Sequence, residues 1–211
     1  MIVEYFGIPG SGKTFQANIY RLSLDKQRTP YLDISRHKGM ALWLKGLYKL
    51  ADAATYIIPK YRSLSRKLQN TCDTCLKAPK YLSLSMAYCV RDIVLSSLLH
   101  DVFDNWKRVI INDEGMLQRV ATLAVLYNAD VKGVLSVCWL GKKSIQNVMV
   151  DISVDEAFQN IRGRNRHACE MDELDDDMLY SYLKAFGKTC NDIKAYLIGF
   201  NDTKLYENSF L

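Results

Sequence analysis

The first fourteen residues constrain this chain most, because they join an apolar run to a glycine-rich loop of fixed spacing. The run 2–6 has β-strand character, and residues 7–14 satisfy the pattern G-x-x-x-x-G-K-[ST] at every fixed position. Glycines at this spacing let the backbone turn so that consecutive N–H groups point into one concave nest. The helix that follows adds its positive dipole end. We therefore expect a phosphate-binding P-loop between a strand and a helix.

The side chains of this loop suit a nucleoside triphosphate and its metal ion. Lys13 can reach the β- and γ-phosphates, and the Thr14 hydroxyl can ligate Mg²⁺. We expect ATP and Mg²⁺ as the bound pair. The residues expected to hold ATP are Gly7, Pro9, Gly10, Ser11, Gly12, Lys13, Thr14, Phe15 and Arg162.

Two further strands are expected to end in acids. Residues 30–34 form a short β-prone run with Asp33 near its carboxyl end, and ligands of open parallel sheets bind beyond those ends. The run 108–111 is apolar after its first residue and leads to Asp113 and Glu114. Following the P-loop, this pattern predicts that Asp113 presents its carboxylate to Mg²⁺. Of the two adjacent acids, only one points naturally at the metal.

Residues 36–107 predict helices and no strand. The segment holds twelve Lys or Arg against five Asp, a net charge of +7 that exceeds the +5 of the whole chain. Most of these cations suit a solvated helical surface. A subset could face an acidic acceptor, and the candidate acceptor residues are Asp33, Arg36, Arg62, Arg66, Glu114 and Arg119.

Arginines recur where another helix is expected to end. Ser153 and Glu156 form a capping box, and Arg162, Arg164 and Arg166 lie about two turns later. They could simply favour the negative end of the helix dipole. They could instead form a mobile clamp on phosphates, since the planar guanidinium binds phosphate oxygens bidentately.

Several local predictions complete the secondary structure. The first helix is expected over 13–24, with Phe15, Ile19 and Leu22 on its buried face. Residues 131–140 could be a strand or a buried helix. A helix over 176–186 is expected to end at Gly187, and residues 195–200 are expected to form the last strand.

Bulk properties predict one α/β domain over all 211 residues. No apolar run is long enough to span a bilayer, so we expect a cytoplasmic protein without a membrane partner. Cys72 and Cys75 form a local pair, but zinc would need about four ligands, so ordinary reduced thiols are favoured. Nucleic acid is not an expected partner, because no recognised motif accompanies the basic segment. A homodimer is possible.

The order of these motifs resembles the nucleoside and nucleotide kinase group of P-loop proteins, in the layout of its thymidylate-kinase-like members. The resemblance rests on the loop 7–14, a helical insertion, Asp113-Glu114-Gly115 with Gln118-Arg119 behind it, the Ser153-capped helix that ends in arginines, and the expected terminal strand. It implies a five-stranded parallel sheet and phosphoryl transfer from Mg·ATP. It also implies that 36–107 lies on the acceptor side and that 162–174 is an arginine lid. The residues that would then act in catalysis are Lys13, Asp33, Asp113, Arg162 and Arg166.

Two departures limit what the resemblance implies. Thymidylate kinases usually carry an Asp-Arg pair where this chain has Asp113-Glu114, and their acceptor signature is not visible after Asp33. The reaction class therefore carries over, whereas thymidylate as substrate does not. The acceptor could be a nucleoside, a nucleotide or a sugar. The alternatives are a P-loop ATPase or a nucleotide-binding regulator that acts on a protein partner.

Overall fold

Four parallel strands form the centre of the protein, in the spatial order Tyr31–Asp33, Val109–Asn112, Ile2–Phe6 and Ile145–Met149. The structure is a computed structural model that describes residues 1–35, 42–72, 85–104, 106–138, 145–164 and 170–199. Of residues 42–45, 47, 48 and 51 it describes only the backbone. Ile2 of the central strand lies opposite Ile110 on one side and Ile145 on the other. The predicted α/β class with a parallel sheet is confirmed.

At least one helix lies between successive strands of the chain, as parallel pairing requires. The strands are β1 (Ile2–Phe6), β2 (Tyr31–Asp33), β3 (Val109–Asn112) and β4 (Ile145–Met149). The helices are α1 (Lys13–Lys26), α2 (Leu42–Ile57), α3 (Pro59–Asn70), α4 (Met86–Phe103), α5 (Met116–Tyr127), α6 (Val131–Cys138), α7 (Val154–Gly163) and α8 (Asp176–Ile198), with a 3₁₀ turn at Glu170–Glu173. The expected helical character of 36–107 is confirmed where that segment is described, and 131–138 is helix.

The two faces of the sheet are covered unequally. Alternate residues of β1 divide between two apolar clusters: Ile2 and Phe6 join the large core, whereas Val3 and Tyr5 join a smaller cluster with Ala17 of α1. The large core is built with α4, α5 and α8. The carboxyl ends of the strands therefore meet α1 on one face and α5 on the other.

The predicted last strand over 195–200 is wrong, because residues 195–198 continue α8. The predicted helix end at Gly187 is wrong as well. Buried residues recur at helical spacing through the whole element, from Leu179 to Leu197. A Cβ at Gly187 would lie 3.1 Å from Ile8 Cδ1, so glycine permits close packing on the loop rather than ending the helix. Four strands, not five, lie in the part of the chain that the structure describes.

The predicted buried face of α1 is also wrong. Phe15, Ile19 and Leu22 are 65%, 40% and 60% exposed, whereas Ala17 and Leu24 are buried. The P-loop fixes Lys13 toward the interior, and positions four and eleven residues later continue the same helical stripe. The loop therefore sets the register of the helix, and the larger apolar side chains face outward.

No helix among the described residues is both long and apolar enough to cross a membrane.

Candidate functional site

The loop between β1 and α1 is held closely by its neighbours. Gly7 has φ 154° and Gly10 has φ 90°, both in the left-handed half of backbone space. A Cβ at Gly7 would lie 2.4 Å from Val150 O, and one at Gly10 would lie 2.7 Å from Ala157 O. Glycine is therefore required at both positions by conformation and by the approach of β4 and α7.

Two amide side chains fix this loop from outside. Gln118 of α5 accepts the backbone N–H of Gly7 through Oε1 at 3.1 Å. Asn160 of α7 donates to Gly10 O at 3.1 Å. The loop is thus bonded to helices on both of its sides, which favours a preorganised backbone.

Lys13 is buried at the base of the loop. Its Nζ donates to Gly7 O and Ile8 O, each at 3.1 Å. Burial lowers the pKa of Lys13 to about 8, although the charges of Glu114 and Asp113 oppose that shift. The ammonium group therefore has both acids of the β3 turn in its electrostatic neighbourhood.

The Thr14 hydroxyl donates a hydrogen bond of 2.9 Å to Asp113 Oδ2. This contact joins the start of α1 to the residue that follows β3, and the two residues lie 99 positions apart in the sequence. A hydroxyl and a carboxylate at this distance are hard oxygen donors, which suit Mg²⁺ beside phosphate oxygens. The two residues predicted as metal ligands are therefore placed together.

The turn after β3 is held by its backbone. Four consecutive N–H groups are each bonded to an acceptor, so the turn keeps none of them for solvent. The pairs are Asp113 N–H to Ser35 Oγ (3.1 Å), Glu114 N–H to Asn112 Oδ1 (3.4 Å), Gly115 N–H to Tyr5 O (3.4 Å) and Met116 N–H to Glu4 Oε2 (2.9 Å).

A buried acid lies beneath this turn. Glu4 Oε1 is 2.7 Å from His100 Nε2 and 3.2 Å from Asn112 Nδ2. Burial alone would raise the pKa of Glu4, but the attraction of His100 and the hydrogen bonds from His100, Met116 and Asn112 outweigh it and lower that pKa. Glu4 is therefore a buried carboxylate that bonds β1, α4 and α5 together.

Asp33 reaches this network through Ser35. Its Oδ2 pairs with Arg21 Nε at 2.9 Å, and its Oδ1 accepts the Ser35 N–H at 2.9 Å. Ser35 Oγ also accepts from Arg21 at 3.1 Å as well as from the Asp113 N–H. Ser35 therefore links Asp33 to the Asp113 turn, and both carboxylate oxygens of Asp33 have partners within the protein.

Glu114 and Arg119 are also brought together. Arg119 donates to Glu114 Oε2 at 2.7 Å and lies 3.4 Å from Asp92 Oδ2. Asp92 is buried on α4, whereas the Glu114 side chain is half exposed. The pair thus lies where α4 and α5 meet the site.

The arginines at the end of α7 differ from one another. The Arg162 guanidinium bonds to residues 172–176, which lead into α8, and it lies 5.5 Å from the Phe158 ring. Its partners are Asp176 Oδ1 (2.9 Å), Asp172 O (3.1 Å) and Leu174 O (2.6 Å). Arg164 instead donates through Nε to Asn160 O at 3.2 Å, and its charge adds to the effect of burial in lowering the pKa of Lys13.

Arg62 and Arg66 are not brought to the loop. α3, which carries Arg62 and Arg66, packs against α2, α4 and α6, and Arg62 donates to Tyr56 O at 2.7 Å. Arg36, Arg166 and Cys75 lie outside the described residues. Cys72 is buried, and no cluster of three or more His, Cys, Asp or Glu side chains in the described ranges is placed to hold a metal.

Sequence reasoning missed Ser35, Asn160 and the role of Glu4. Ser35 follows the second strand directly, so the rule that selected Asp33 could have selected it. Glu4 interrupts an apolar strand, and a buried charge requires a partner, which was an available signal. Asn160 carried no such signal, because its contact depends on how α7 packs on the loop.

Comparisons with known proteins give structural neighbours only. No protein-family model and no curated protein sequence matches this chain. Deoxyadenosine kinase from M. mycoides with bound dATP is similar in structure, with a TM-score of 0.47, 13% identity and coverage of 98% of this chain and 91% of the other. Structures of that kinase with the products dCMP and dCDP and with dCTP have TM-scores of 0.48, 14% identity and coverage of 98% and 89%.

Proposed function

We propose that this protein is a kinase of nucleoside-kinase type, which transfers the γ-phosphoryl group of Mg·ATP to a small acceptor. The observation that carries the proposal is the hydrogen bond between the Thr14 hydroxyl and the Asp113 carboxylate, beside a glycine loop with a buried lysine. Phosphoryl transfer needs mainly positioning and charge stabilisation, and this arrangement provides both.

The loop supplies the phosphate contacts in this proposal. Backbone N–H groups where the loop enters α1 bind the phosphates, and Lys13 exchanges its two loop carbonyls for phosphate oxygens. Thr14 and Asp113 would hold Mg²⁺, which when bound offsets the negative charge of the phosphates. Arg164 lies near Lys13 and supports the same phosphates.

Glu114, rather than Asp33, is proposed as the carboxylate that takes the proton of the acceptor hydroxyl. Asp33 has both oxygens engaged by Arg21 and Ser35, which suits a positioning residue. Glu114 is half exposed and lies near the Lys13 ammonium, so it can accept the proton of an incoming hydroxyl. The acceptor is proposed to enter between β2 and α4, the side on which residues 36–107 lie, and to be a nucleoside, a nucleotide or a sugar.

The alternative is an ATPase, and the position of Glu114 also allows it. A carboxylate near the phosphate site can activate water as well as an acceptor hydroxyl. Release of ADP that depends on a small acceptor supports the kinase, whereas release that depends only on a protein partner supports the ATPase.

The test compares wild type with Lys13→Ala in an acceptor screen that measures ADP release and phosphorylated product. Loss of one preorganised charge contact is expected to lower kcat about a hundredfold, or ~3 kcal/mol. Lys26→Ala on the same helix is the matched control and is expected to keep full activity. If Lys13→Ala phosphorylates an acceptor at the wild-type rate, this mechanism is excluded.

A further inference from the structure

We propose that the corner between α2 and α3 docks on an anionic lipid surface. The corner is the segment that joins the end of α2 to the start of α3, residues 56–62. This surface is separate from the loop and the acids described above, and the inference stands whether or not the protein is a kinase.

The charge of the protein is concentrated here. Residues 42–70 hold six Lys or Arg against one Asp, a net charge of +5 that equals the net charge of the whole chain. The remaining residues therefore carry no net charge. Such an asymmetry creates a local positive field that attracts an anionic surface.

The helix α3 segregates its charges. Tyr61 and Leu68 are buried toward α4, and the helix contains no acid. Its four cations recur on the opposite, solvent-facing side, and all are exposed: Lys60, Arg62, Arg66 and Lys67. This is the pattern of a basic amphipathic helix whose charged face is exposed.

Large apolar side chains are exposed beside these cations. Leu50 and Ile57 are each 72% exposed, Tyr56 is 60% exposed and Ile58 is 39% exposed. Leu50, Ala53 and Ile57 follow helical spacing, so they share one outer face of α2. The apolar residues therefore lie at and next to the corner rather than scattered over the surface.

The nearby acids that the structure describes have partners of their own. Asp52 pairs with Arg91 of α4 at 3.5 Å, and Asp101 is engaged by Lys60 and by the Tyr61 hydroxyl at 2.6 and 2.7 Å. The other three cations of α3, Arg62, Arg66 and Lys67, are exposed, and Arg62 donates to the backbone carbonyl of Tyr56 at the corner. The corner thus presents net positive charge together with exposed aliphatic groups.

A lipid interface fits this combination better than nucleic acid does. Aliphatic side chains at a convex corner can enter the headgroup region, while flanking Lys and Arg contact anionic headgroups. Tyr56 suits the interfacial depth that aromatic residues prefer. Nucleic acid would use the cations but would leave Leu50, Ile57 and Ile58 in water. The inference departs from the expectation of no membrane partner, which considered only spanning segments.

The experiment is flotation of the full chain with vesicles of phosphatidylcholine, with or without about 30% phosphatidylglycerol. Binding is expected only to the anionic vesicles and should weaken as salt rises, because headgroup attraction is screened. The double variants Ile57→Ser/Ile58→Ser and Arg66→Glu/Lys67→Glu are each expected to lower the partition coefficient by about tenfold or more.

Matched variants on α8 separate this surface from general effects. Ile198→Ser replaces an aliphatic residue that is 57% exposed, and Lys184→Glu/Lys188→Glu reverses two charges. Both are expected to bind anionic vesicles like wild type. The inference is overturned if the chain binds neither vesicle, binds both equally, or loses binding only with the α8 variants. Duplex DNA binding that survives Ile57→Ser/Ile58→Ser, without vesicle binding, would assign the cations to nucleic acid instead.

Discussion

The Glu4 carboxylate of β1 accepts the Met116 N–H at the start of α5, 2.9 Å away and 112 positions later in the chain. Because Met116 ends the turn that begins at Asp113, this contact fixes the far side of the turn. A Cβ at Gly115 would lie 2.4 Å from the same carboxyl group, so the turn lies directly on Glu4. Glu4 therefore holds the turn that carries the Asp113 carboxylate.

Replacing Glu4 by Gln is expected to loosen that turn. One acceptor becomes an N–H donor facing His100, Asn112 or Met116, and breaking a buried pair costs about 3 kcal/mol. We expect the Mg²⁺ concentration for half-maximal activity to rise several-fold, together with a lower free energy of unfolding in urea.

A destabilised control separates positioning from simple loss of stability. Leu197→Ala removes a fully buried side chain near the end of α8 and should cost about 2–5 kcal/mol. It is expected to leave the Mg²⁺ dependence unchanged. Equal Mg²⁺ dependence in Glu4→Gln and wild type would show that Glu4 serves stability only.

The lowered pKa of Glu4 also predicts a pH dependence of stability. The folded state favours the ionised Glu4 carboxylate more than the unfolded state does, where the pKa of Glu4 is near 4.5. The resulting stabilisation is fully present above that value and is lost as the pH falls through the folded pKa. The free energy of unfolding, measured in urea, should therefore fall more steeply with decreasing pH for wild type than for Glu4→Gln. Parallel curves below pH 4.5 would contradict the assignment.

The two arginines at the end of α7 are expected to differ in function. Arg162→Ala removes three contacts to residues 172–176 and should lower the melting temperature. Arg164→Ala should leave the melting temperature unchanged but lower kcat on the order of a hundredfold, as expected for a phosphate contact. Thermal melts and steady-state kinetics on both variants check this. Lower stability for Arg164→Ala, or full stability for Arg162→Ala, would reverse the assignment.

Local spacing explains what the sequence could predict. The P-loop pattern fixed the positions of Lys13 and Thr14, and the buried strand before Asp113 placed that acid at the same edge of the sheet. Gly187 misled the prediction, since glycine ends many helices but here allows α8 to approach Ile8. The partners of Arg162 and Glu4 depend on how distant elements pack, and no local pattern specifies them.

The register of α1 offers the last prediction, because two leucines close in sequence lie on opposite sides of the helix. Leu24 is buried in the small cluster with Val3 and Tyr5, whereas Leu22 is 60% exposed. Leu24→Ala is expected to lower the free energy of unfolding by about 2–5 kcal/mol, and Leu22→Ala by less than about 0.5 kcal/mol. Urea denaturation of the two variants gives the comparison directly. A larger loss for Leu22→Ala would mean that the outer face of α1 is covered in solution, and that Lys13 does not set the register of the helix.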